Sequence, residues 1–160
     1  MGIAERSRAR VEDLLTEFER LYDDVPVNQQ TVAVSGARYE AARDEYDERS
    51  VDTYVRIEND DGDVLHVTDE GSGGLPGAVG TPDESLSAEV GRAVAAQTGV
   101  DFDIDGLAEL TIAGISNADE PDDPVLYRLL VVFEASHEGG EPEEDTEWRA
   151  ASGEPTPTYV

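Results

Sequence analysis

The stretch "LPGAVGTPDESLSAEVGRAVAAQTGV", Leu75 to Val100, decides how this chain is read. Its first part is dense in glycine and proline and reads as a loop. Its second part carries the punctuation of a helix. Thr81 or Asp83 can cap the start, Pro82 sits near the first turn, and Gly99 supplies the stop. Leu86, Val90 and Val94 stand four apart and make one apolar stripe. The spacing therefore predicts a helix over about residues 83–98, packed on one face. Ala93, Ala96 and Gln97, three and four apart, share another face.

Outward from this stretch, the surroundings are β-rich. "DTYVRIEND" alternates, "DDGD" turns the chain, and "VLHVTDE" returns. After the helix come two more strand regions, "FDIDGLAELTIAGIS" and "PVLYRLLVVFEASH". The apolar run inside the second is broken by Arg128 and is too short for a membrane span. Residues 4–22 form an amphipathic helix, with Val11, Leu14, Leu15, Phe18, Leu21 and Tyr22 on one face. That helix is expected to pack on the core. "QTVAVS" reads as a short strand and "GARYEAARDEYDE" as a weaker, charged helix. The acidic, proline-bearing end has little to bury apart from Trp148. The organisation expected is a helix-and-strand extension over 1–50 packed on the core, a main domain over 51–148, and a flexible tail over 149–160. No internal repeat is present, and 160 residues suit one domain.

The order strand, hairpin, strand, glycine-rich loop, helix, strand, strand, with this stretch in its middle, resembles the Nudix hydrolase family. The family signature is G-x5-E-x7-R-E-U-x-E-E-x-G-U, where U is a bulky aliphatic residue. Leu75, Pro76 and Gly77 match the lead-in that commonly precedes it. Glu84 matches the first glutamate and Arg92 the arginine. Val94, Gly99 and Val100 match the aliphatic, glycine and final aliphatic positions, without an insertion. Ala78 stands where the opening glycine would be. Ala93, Ala96 and Gln97 stand where the other glutamates would be. The resemblance covers about residues 51–148. It implies an α+β fold, an α/β/α sandwich around a mixed sheet, with the box helix at about 83–98 and the N-terminal helix at about 4–22. Family members usually close the sandwich with a helix after the last strands. Here the chain ends "RAASGEPTPTYV", so the helix at 4–22 is the candidate cover for the sheet.

The departures fall on chemistry. In the family, the resemblance implies, those glutamates hold magnesium or manganese, which bridges the diphosphate of a nucleotide derivative and helps activate a water. Hard divalent ions want several carboxylate oxygens, and they neutralise charge in phosphoryl-type displacement. Two methyls and a neutral amide do not replace three carboxylates. The box remnants and possible ligand-loop residues are Gly77, Glu84, Arg92 and Gly99. Arg92 can pair locally with Glu89 or Glu84. Glu84 and Glu89 are weak metal candidates, with Glu109 and Glu134 at hand on later strands. In so acidic a chain, each also reads as a solvated surface acid. His66 and His137 read as surface or strand-end residues. No Ser–His–Asp arrangement can be located. "GSGG" lacks the Gly-Lys-Ser/Thr of a phosphate-binding P-loop.

Charge bounds the partners. The chain carries 38 acidic and 11 basic residues, for a formal net charge of −27, and every basic residue is arginine. Such a chain repels itself in dilute buffer. At molar salt, where the Debye length falls to about 3 Å, the repulsion is screened. The composition resembles that of proteins from salt-accumulating haloarchaea. The alternative is an acidic surface for a basic partner, but the acids are spread along the chain. Nucleic acid is not an expected partner, because no basic patch faces the phosphates. There is no cysteine, and neither signal peptide nor membrane segment is recognisable, so the expected setting is the cytoplasm.

Three readings compete. One is a Nudix-fold protein with a degraded box, binding a nucleotide-like ligand or a protein and with no cofactor assigned. One is an active hydrolase of a nucleoside diphosphate linked to another group, using Mg or Mn. The third is an unrelated acidic α+β domain. The sequence is silent on oligomeric state.

Overall fold

A computed structural model of the chain describes residues 2–22, 25–44, 51–67, 75–80, 86–144 and 146–150. The helix α1 spans Ile3–Leu21, strand β1 Val27–Val34, and helix α2 Gly36–Asp44. Strands β2, β3 and β4 cover Val51–Glu58, Asp63–Val67 and Gly77–Gly80. Helix α3 spans Leu86–Thr98, followed by β5 at Val100–Asn117, β6 at Leu126–Gly140 and β7 at Thr146–Ala150. The expected caps Thr81, Pro82 and Asp83 lie outside the described residues, as does the glycine-rich run 71–74. So does the end of the chain beyond Ala150.

The seven described strands join one mixed sheet in the order β1-β5-β6-β2-β3-β7, with β4 branching from β2. β5 and β6 pair antiparallel as the long central hairpin. β1 joins β5 in parallel and β2 joins β6 in parallel, so the N-terminal third is woven into the same sheet as the rest. The expected α+β architecture with a mixed sheet is what is found. β7 was not expected as a strand; it pairs with β3 through to Ala150, so the first two residues assigned to the tail belong to the sheet.

Strand alternation splits the central sheet into two faces. Val55, Ile57, Leu129, Val131, Phe133 and Ala135 lie on one face, in a single core with Val11, Leu14 and Phe18 of α1 and Leu86, Val90 and Val94 of α3. Val94 is fully buried, and Leu86 and Val90 are 1% exposed, so the stripe read from the sequence is the packing face. Tyr54, Leu130, Val132 and Ala113 lie on the other face, with Val64 and Leu75.

Plain alternation would not give β5 its core. Ile104, Leu107, Leu110 and Ile112 are spaced three, three and two apart. Register shifts at Ile104/Gly106 and Leu107/Glu109 absorb the extra residues. These bulges turn all four side chains toward the helices. Helix α1 docks on the sheet as expected, and the Ser7 hydroxyl accepts a 3.0 Å hydrogen bond from the Tyr127 backbone N–H. Leu21, expected on the buried face, is 43% exposed, while the next residue, Tyr22, sets its ring against Phe133 at the edge of the core. Tyr39 of α2 is fully buried and donates its hydroxyl hydrogen bond to the Pro124 carbonyl, tying α2 to the β5–β6 connection. Burial raises the Tyr39 phenol above its ordinary pKa, and it stays a donor.

Candidate functional site

Two regions hold chemistry, and the sheet separates them. The first is the outer face of α3. Ala88, Glu89, Arg92, Ala93, Ala96 and Gln97 are all exposed there. Glu89 sits in the first turn, where a carboxylate favours the helix dipole. Among the described residues Arg92 makes no ion pair, with Glu89 or another carboxylate; an exposed pair of this kind gains little against side-chain entropy, and its other expected partner, Glu84, lies outside the described residues. Gly99 ends the helix with φ +77°. Its N–H donates to the Ala95 carbonyl at 2.9 Å, the closure of a helix by a left-handed glycine. Gly77 abuts β2: a Cβ there would lie 2.4 Å from the Thr53 carbonyl oxygen. Gly77 and Gly99 therefore hold shape, whatever else they do. Glu84 lies outside the described residues.

The described residues of this face do not by themselves make up the donor set of a divalent ion. Glu89 is the one carboxylate among its described residues, and Ala93, Ala96 and Gln97 contribute none. Among the described residues, no group of three or more histidines and acids is arranged to hold a metal. Glu109 and Glu134, considered as possible rescuers, face away from the α3 core. They line up with Tyr54, Leu130 and Val132 on the other face of the sheet.

The second region is on that other face. Arg56, Glu58, Asp105, Glu134, Ser136 and His137 line a cleft of about 300 Å³. Arg56 Nη2 lies 3.6 Å from Glu109 Oε1, and Asn28 Nδ2 donates to Glu109 Oε2 at 2.9 Å. The Ser136 hydroxyl donates to Asp105 Oδ2 at 2.6 Å. Nearby, Glu138 is held above the usual carboxylate range, first by its hydrogen bond to Asp103 and then by the charge of that acid. Acids outnumber bases in the cleft, and the guanidinium of Arg56 is already engaged by Glu109. Among the described residues, its lining lacks the converging cations that a diphosphate would need.

His66 is 4% exposed, so of the two alternatives expected it is the strand-end residue, one before the end of β3, and not a surface one. Its Nδ1 lies 2.9 Å from the Val64 carbonyl, and its strand is covered on one edge by β7, which the sequence did not announce. His137 stays near a strand end, with its ring 5.0 Å from that of Trp148. The polar pair that sequence reasoning missed is Arg128 with Asp52. Arg128 Nε and Nη2 each donate to one Asp52 oxygen at 3.2 Å, inside the protein. The one available signal was an arginine set in an apolar strand.

Solved structures resemble this arrangement. A UDP-X diphosphatase superposes with a TM-score of 0.51 at 20% identity, over 95% of this chain and 74% of its own. A NUDIX hydrolase from Nitrosomonas europaea gives 0.45 at 19%, over 64% and 72%. The MutT protein from Methanosarcina mazei Go1 gives 0.45 at 18%, over 81% and 80%. A longer Sinorhizobium meliloti 1021 protein, described as an oxidoreductase, gives 0.45 at 15%, over 71% of this chain but 34% of its own. No protein-family model matches the sequence, and no curated protein does. The fold is Nudix-like; at these identities the likeness speaks to fold alone.

Proposed function

We propose that this is a Nudix-fold protein whose metal-binding box has been disarmed, with little or no metal-dependent hydrolysis, and that it binds a nucleotide-like ligand or a protein. One observation carries the reading. Ala93, Ala96 and Gln97 are all exposed. Packing did not require the loss of acids there, and glutamates at these positions would fit the fold. A chain that places acids over most of its surface has none at these three positions. The scaffold residues around them, Val94 and Gly99, are kept and used. The acidic composition supports a salt-rich cytoplasm as the working environment.

A second reading is an active hydrolase of a nucleoside diphosphate linked to another group. It draws on the fold shared with the UDP-X diphosphatase and on the retained Glu89. Titration calorimetry with manganese in molar potassium chloride separates the two. The disarmed reading expects no tight binding by the unaltered chain, and new affinity in the A93E/A96E/Q97E variant. Converging carboxylates repel one another until an ion relieves them. Tight binding by the unaltered chain, with release of phosphate from nucleotide derivatives that is lost in E89Q, overturns it.

A further inference from the structure

The two ends of the sheet are finished differently. At one end, β7 is five residues long and carries Glu147 and Arg149, ion-paired to each other. Short length and charge are the usual protections of an open edge. At the other end, β1 is eight residues long, "VNQQTVAV", and carries no charge. It lies inside Val25–Ala37, the longest stretch of the chain without an acid or an arginine.

The free side of β1 can be assigned. The Pro26 carbonyl accepts from Leu110 N–H, and the Val34 carbonyl accepts from Ala118 N–H. In a parallel pair every second residue turns its backbone groups to the same neighbour. The even-numbered residues therefore serve β5. Val27, Gln29, Thr31 and Ala33 turn their N–H and C=O groups outward, where no described strand pairs with them. All four are exposed. Val27 is 44% exposed; with Leu21, just before it in the chain, it makes up the exposed large apolar side chains of the described residues.

We propose that β1 is a self-association edge, on which a second copy of this chain adds its own β1 antiparallel, joining two sheets into one. Charge argues for this occupant. A basic partner would need acids to pair with, and this strand has none. Another copy of a chain with net charge −27 is repelled least where like charges are absent, and β1 is such a place. A two-fold axis through Gln30 sets Val27 opposite Ala33 and Gln29 opposite Thr31. All the outward groups are then used, in about eight hydrogen bonds at two per bonded pair.

The test is sedimentation equilibrium of the full chain in molar potassium chloride. The unaltered protein should be a dimer. T31P removes one outward N–H without touching the β5 ladder, and T31E sets a carboxylate near its own copy; both should sediment as monomers with circular dichroism spectra unchanged. Amide exchange at Val27, Gln29, Thr31 and Ala33 should slow as protein concentration rises. A chain that stays monomeric overturns the proposal and leaves the edge to another kind of strand. A dimer that survives both substitutions, or one in which those four amides exchange freely, also overturns it.

Discussion

Asp52 and Arg128 lie 76 residues apart in sequence and meet with both side chains less than a tenth exposed. Removing one partner takes both hydrogen bonds of the pair away from a buried charge. D52A should cost about 3–5 kcal/mol of stability, read from urea unfolding in molar salt. Glu138 should act in the opposite sense. Its carboxyl is raised above its ordinary value by Asp103, so the fold favours its protonated form. That contribution is fully present below the ordinary carboxylate pKa and is lost as pH rises through the raised one. E138Q should therefore melt higher than the unaltered chain at neutral pH, and the advantage should vanish on acidification through the carboxylate range. Gly99 is a third case. At φ +77°, with a Cβ set to meet Glu143 Cγ at 2.8 Å, G99A should lose about 1–2 kcal/mol from backbone strain alone.

Helix α3 shows how far an element can be read before it is seen. Its period, its stop at Gly99 and its buried stripe were all legible, because a helix next to a core repeats every three to four residues. The consequence is testable: V94D buries an unpaired charge and should abolish the cooperative melt. F18A in α1 removes a ring that is 2% exposed and should cost about 3–5 kcal/mol, which checks that α1 is part of the core. Strand β5 was only half legible. Its existence showed, but its bulges did not, since they depend on which residues β6 offers opposite. β7, with Glu147 and Arg149 in five residues, gave no strand signal; pairing with β3 makes it one. The same limit applies to the candidate site. The residues on the outer face of α3 follow from helical spacing. The cleft around Arg56 and the Arg128–Asp52 pair arise from strands brought together by topology, and no local pattern announces them.

At the scale of the molecule, the net charge of −27 should make stability depend on salt. The Debye length grows from about 3 Å at 1 M to about 30 Å at 0.01 M, and the acids then repel across the whole surface. Circular dichroism melts across a potassium chloride titration should show the transition falling steadily as salt is withdrawn; a melt indifferent to salt removes the halophilic reading. Topology has its own consequence, for the order in which the chain is made. β1 and β2 are made before the strands of the C-terminal half beside which each lies; β2 can pair with β3 and β4 as they follow, but its other edge waits for a partner that begins at Leu126. No earlier portion can complete the sheet. The nascent chain therefore carries β1 without its partner until β5 is made, and one edge of β2 open until β6 is made, which leaves strand edges exposed to neighbouring chains through much of synthesis.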